Sequence, residues 1–186
     1  GASVSVLVAK SETSAEIGAG ANIHASDNLT VMANSDTDIH KNVMGFSGGG
    51  VGVSGSIGVN VLKNTTLAKI GNNARINQMS EDNQTTQSVN VLARDNLNIQ
   101  TASGAAAVGL SGYGMGLSVT ALRASSQAIV GNNVVLSARR DVTVDAQNNK
   151  HINNTSISFA GGATDAGSGS VALTIIGGAM SGDSGD

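Results

Sequence analysis

The sequence predicts an all-β chain, a right-handed parallel β-helix (solenoid) built from repeats of about 53 residues, and three observations carry that expectation. The first is a block that occurs three times: Ile17-Gly18-Ala19-Gly20-Ala21-Asn22-Ile23, Ile70-Gly71-Asn72-Asn73-Ala74-Arg75-Ile76 and Val130-Gly131-Asn132-Asn133-Val134-Val135-Leu136. The spacing from Gly18 to Gly71 is nearly matched by that from Gly71 to Gly131. The second is alternation of apolar and small polar residues with period two, the mark of strands, with no convincing helix-period segment. The third is a composition of 25 Gly and no Pro, suited to strands that pair on both sides and so cannot lose a backbone donor. An antiparallel β array is the alternative, because Gly48 to Gly58 can hold bulges or hairpin turns.

Each repeat opens on an alternating apolar run fourteen residues before its glycine: Val4, Val6 and Val8; Ile57, Val59 and Val61; Leu117, Val119 and Ala121. Lys10, Lys63 and Arg123 follow in register. After the glycine block an Asp introduces another strand, at Asp27-Asn28-Leu29-Thr30-Val31, Asp95-Asn96-Leu97-Asn98-Ile99 and Asp141-Val142-Thr143-Val144. The longer interval from Gly71 to Asp95 implies an insertion of roughly fifteen residues in the second unit, placed at Gln78 to Ser88 as a polar surface loop. Gly45-Phe46-Ser47-Gly48 is echoed by Gly109-Leu110-Ser111-Gly112 and Ser158-Phe159-Ala160-Gly161. Phe46 follows Gly18 at the same distance as Phe159 follows Gly131. The units therefore span about 3–50, 54–114 and 116–169, within one segment that runs 1–186. A truncated fourth unit, 170–186, opens with Val171, Leu173 and Ile175. Apolar positions six apart, together with the interval from Ile17 to Ile39, suggest one coil per such interval. Roughly eight such coils would make a rod of about 40 Å.

Composition bounds the chemistry. Three aromatic residues and a 12% charged fraction leave Val, Ile, Leu and Ala to form thin layers. Cysteine is absent, so disulfides and thiolate metal sites are excluded, and the lack of thiols fits an exported protein. No secretory signal or long apolar span is present, and the chain reads as an excerpt from a longer one. Ten Lys and Arg scattered against thirteen acids give no nucleic-acid footprint.

The blocks, each followed by an Asp-led strand, resemble the repeats of leukotoxin-type, filamentous-haemagglutinin-like large exoprotein adhesins of Gram-negative bacteria. Gly50-Val51-Gly52-Val53-Ser54-Gly55-Ser56-Ile57-Gly58-Val59-Asn60-Val61, running on to Ile70-Gly71-Asn72, resembles them too. The resemblance covers nearly the whole chain. It implies export by a two-partner or related type V route, hence an outer-membrane transporter as a partner during secretion. It further implies a β-helical shaft, a secreted or cell-surface location, and a role in host-cell adhesion or leukocyte damage.

Gly182-Asp183-Ser184-Gly185 echoes the nucleophile surround of trypsin-like proteases, but the chain offers it no strand context and no organised base. His24, His40 and His151 are too unevenly spaced for a metal motif and are expected at solvated corners. Calcium nonapeptides are missing, although Asp36, Asp38 or Glu81, Asp82 could hold one adventitious ion. No glycine run precedes a Lys-Ser/Thr pair, so no phosphate cradle is expected. The chain is thus expected to need no cofactor or metal and not to be an enzyme.

What remains is structural or adhesive. Gly18, Gly71 and Gly131 are the repeat anchors, and Asn72, Asn73, Asn132 and Asn133 share their turn, where Asn tolerates left-handed backbone and can stack as a ladder. Five Asn-x-Ser/Thr sequons (Asn28, Asn64, Asn83, Asn153, Asn154) are near the number chance gives. The leading expectation is a non-enzymatic shaft that stacks Val, Ile and Leu inside and holds distal regions away from the cell. A second is a module contacting a host cell-surface glycan or protein, through Glu81, Asp82 and Asn83 of the 78–88 loop or through the cation column Lys10, Lys63, Arg123. A β-helical polysaccharide-degrading enzyme is third. Open strand edges make end-to-end self-association expected.

Overall fold

The computed structural model describes residues 1–77 and 87–177. Seven strands are present among the described residues: β1 (Ala2–Ile17), β2 (Asn22–Ile23), β3 (Leu29–Ile70), β4 (Arg75–Ile76), β5 (Val89–Val130), β6 (Val135–Leu136) and β7 (Val142–Ile176). The long strands form one sheet in the order β1-β3-β5-β7, the short ones a second in the order β2-β4-β6. Every ladder is parallel, so the antiparallel alternative is not the arrangement observed.

Register follows the repeat. Val4 pairs with Ile57, Ile57 with Leu117 and Leu117 with Val171; Ile17, Ile70 and Val130 line up in the same way. The chain is therefore a pile of parallel rungs, each rung one repeat.

A rung cannot be straight. Fully extended, β3 would span about 140 Å, yet only 71–88 return the chain to Val89, the partner of Leu29. That return segment reaches about 65 Å at most. The strand must fold back, and it does so at Gly48-Gly49-Gly50, where Gly49 has φ +146°. We call residues 29–48 and 51–70, with their equivalents in other rungs, the first and second arms; β1 supplies a second arm only. The arms face each other through side chains while their backbones pair with neighbouring rungs. Lys41 Nζ donates to Val59 O and Asn60 Oδ1 across the gap, both at 3.0 Å, and Val31 and Ala33 pack with Ala68 and Ile70.

The interior is graded. Next to the glycine blocks it is aliphatic, with Ile70, Ile76, Val89, Val91 and Ala93 fully buried; Leu62, Leu97, Ile99 and Leu122 form a second cluster. Between and beyond them lie Asn60, Thr66, Thr101 and Thr120, with Asn60 Nδ2 donating to Thr101 Oγ1 at 2.8 Å. Beyond Val43, toward the bend, only Gly, Ala and Ser face inward, and the arms close up. A Cβ on Gly45 would lie 2.5 Å from Gly55 O.

Three expectations need correction. The strands pair at offsets of 53 and 60 residues rather than at the interval from Ile17 to Ile39. The described chain therefore has four rungs and not eight, because the bend consumes two full arms before the chain returns. Asp95 is not the counterpart of Asp27: Leu29 pairs with Val89 and Val89 with Val142, which sets Asp95 beside Ser35 and Asn148. That register keeps Val89 and Val91 against Ile70, and it makes the insertion of the second unit seven residues, the difference between offsets of 60 and 53. Likewise Gly109 pairs with Gly49 and Gly162, so the middle equivalent of Phe46 and Phe159 is Ala106 and not Leu110.

Candidate functional site

The glycine block builds the corner between second arm and short strand. Gly20, Asn73 and Asn133 occupy one turn position and all have positive φ, 69°, 59° and 55°. Glycine or asparagine is required there, as the left-handed region excludes most side chains. The block stacks through backbone and amide bonds: Gly71 N donates to Ile17 O at 2.7 Å, Gly131 N to Ile70 O at 2.8 Å, and Asn132 N to Asn72 Oδ1 at 2.8 Å. Asn133 Nδ2 reaches Asn73 Oδ1 at 3.5 Å, the long rung of an amide ladder. These residues are brought together by the fold and hold it.

The main apolar surface among the described residues is the outer face of the second arm. Val4, Val6 and Val8 are 64–73% exposed, and Ile57, Val61, Val171, Leu173 and Ile175 are exposed as well. These are the alternating trios that mark each repeat, and they do not stack inside. Parity decides this. Leu62, Ala68 and Ile70 point inward against the first arm, and no register shift interrupts 51–70, so period two turns 57, 59 and 61 outward. Inward positions of the same arm are instead Ser56, Gly58 and Asn60.

Met115 adds to this face, 69% exposed, beside Tyr113 and Val53. Around it lies a shallow apolar cavity of about 400 Å³, floored by Ala2, Gly55 and Gly169 and walled by Val4, Ile57 and Val171. Tyr113 Oη donates to Asp165 Oδ2 at 2.8 Å, and this bond to the carboxylate, with its charge, holds the phenol above its ordinary range. The reading of the sequence did not single out Met115; its only signal was its odd-numbered place in the same period-two series.

Lys10, Lys63 and Arg123 do fall in one column bordering the face, paired rung to rung. Lys10 is neutralised by Glu12 at 3.5 Å, and Lys69 and Glu16 pair at 3.0 Å nearby. Of the column only Lys10 stands on the edge strand β1, where its charge disfavours lateral pairing, while Lys63 and Arg123 lie on the interior strands β3 and β5. Glu81, Asp82 and Asn83 lie outside the described residues, as does Gly182-Asp183-Ser184-Gly185.

His40 and His151 stand within the long strands β3 and β7 and not at corners. His40 pairs with Gln100 and His151 with Asn98, both on the outer face of the first arm, and His40 Nε2 lies 3.2 Å from Asp38. Among the described residues no group of three or more His, Cys, Asp or Glu is placed to hold a metal ion. Of the sequon residues, Asn64 is buried, with Nδ2 donating to Ser35 Oγ and Asp95 Oδ1, so the folded chain cannot present it to a transferase.

Two ionisable groups lie inside the stack. Burial lowers the pKa of Lys41, which also donates to Ser5 O at 3.0 Å. Asp95 is fully buried, and desolvation raises its pKa against the opposing effects of Ser35 and Lys150. Its Oδ2 has no hydrogen-bond partner. An acid whose folded pKa exceeds its unfolded one stabilises the fold at low pH, and that contribution is lost as pH rises from the ordinary carboxylate range through the raised value. Asp95→Asn keeps an acceptor for Asn64 and removes the buried charge. It is expected to raise Tm at pH 7 by ~3 °C, on the order of 1 kcal/mol, and to lose that advantage near pH 4. Thermal melts of both proteins across pH 4–8 check the sign.

Comparison of the chain with protein-family models, with curated proteins and with solved structures finds no match.

Proposed function

We propose that the chain is a shaft segment of a secreted, surface-associated bacterial filamentous adhesin or leukotoxin-like exoprotein, wound as a right-handed parallel β-helix. The observation that carries the reading is the register that runs unbroken along the second arm from β1 through β3 and β5 to β7. Every repeat contributes one rung of fixed cross-section, and each rung's two long backbone edges seek another rung. Such a stack extends in one dimension, with stability that grows by nearest-neighbour contacts. Its mechanical role is to hold distal regions of the parent away from the cell.

Removal of one full rung tests this. Deleting 71–130 joins Ile70 directly to Gly131 and recreates an Ile-Gly-Asn-Asn corner in phase. The shortened chain is expected to fold with the same β-sheet circular dichroism and a lower Tm. Its scattering cross-section should be unchanged, with the axial length reduced by about 4.8 Å. A deletion protein that is unfolded, or whose cross-section changes, would overturn the repeat-shaft reading.

A further inference from the structure

We infer that the outer apolar face of the second arm is an interface for a second copy of this chain, packed face to face. Four strands about 4.8 Å apart and ten residues of about 3.3 Å rise give a plane of roughly 600 Å². That is at or above the largest apolar patch of a typical monomer, about 300–600 Å². It approaches the ~800 Å² that each partner contributes to a standard interface. Sheets that pack face to face lie ~10 Å apart with their strands nearly aligned.

Self-complementarity selects the occupant. Met115 stands out from β5, whereas its pairing partners Gly55 and Gly169, with Ala2 beyond Gly55, leave a trough along the same line. A two-fold axis lying in the interface, parallel to the strands and midway between β3 and β5, exchanges those two strands. It sets Met115 of each copy over Gly55 of the other, and Ala2 over Gly169. A knob from each copy thereby enters the 400 Å³ trough of its mate, as an isologous contact demands. The neighbouring columns bring Ile57 opposite Leu117 and Val59 opposite Val119.

The test uses the full chain, which has no native cysteine. Sedimentation from ~1 to 100 µM is expected to show a dimer, and Val6→Lys with Val59→Lys to give a monomer of unchanged circular dichroism. With a bismaleimide cross-linker of about 10 Å reach, a mixture of Gly55→Cys and Met115→Cys chains is expected to yield a covalent heterodimer. Thr143→Cys, on the outer face of the first arm, should not couple to either. A wild-type chain that stays monomeric throughout overturns the inference. So does a dimer indifferent to the two lysines, since it would then form by edge-to-edge continuation of the rungs. Neither result bears on the rung deletion, which reads the stack within one chain.

Discussion

Gly71→Ala is expected to destabilise the protein by about 2–3 kcal/mol, whereas Gly18→Ala at the equivalent position changes stability by less than ~0.5 kcal/mol. The two glycines share a motif but not an environment. A Cβ on Gly71 would sit 2.6 Å from Ala19 N and 2.8 Å from Gly18 C, backbone atoms of the rung below that cannot swing aside. Gly131 is in the same position, 2.8 Å from Asn72 N. A Cβ on Gly18 meets nothing within 4 Å because no described rung lies on that side. The strain would widen the corner and lengthen the bond from Gly71 N to Ile17 O. Urea melts of the three alanine variants check the order: Gly71 and Gly131 together, Gly18 apart. Equal tolerance at all three would show that the corner does not set the rung spacing.

Ile99→Ala is expected to cost about 2–5 kcal/mol, while Phe159→Ala, a larger truncation, costs under ~1 kcal/mol. Ile99 is fully buried between the arms, packed with Leu62, Leu97 and Leu122. Its removal leaves a cavity among strands that are pinned by pairing on both sides and cannot collapse. Phe159 is 73% exposed on the outside of the first arm. Thermal denaturation of both variants separates the two: an Ile99→Ala loss of roughly 6–15 °C is expected against one of a few degrees at most. A larger loss from Phe159→Ala would contradict the inside–outside assignment of the arms.

The same contrast shows how much was legible beforehand. The glycine spacing of 53 and 60 is the pairing offset of β1 with β3 and of β3 with β5, so corner and register could be read directly from the repeated block. The left-handed turn could be read as well, since Asn73 and Asn133 stand where Gly20 does. Landmarks further from the block misled, because Asp95 and Gly109 are chemical echoes of Asp27 and Gly45 at other heights of the rung. Strand pairing ranks residues by the side they face, and Asp95 faces inward beside Ser35 and Asn148. The outer apolar face was visible as alternating trios, yet their side could not be assigned. Alternation shows that two faces differ and does not tell which is covered.

The sequence by itself determined the strand content and the spacing of the glycine corners, because each is a local or strictly periodic property of the chain; it left parallel and antiparallel pairing open and made the rung too short. Tertiary structure alone decided that β3 doubles back at Gly48-Gly49-Gly50, so that a rung has two arms. From that folding follows the rest. Leu62, Ala68 and Ile70 meet the first arm and become core, and Val4, Ile57, Leu117 and Val171, an odd number of residues away in each strand, are turned to the outside. A side chain is buried only when a second surface arrives to cover it, and which surface arrives is settled by where the chain bends.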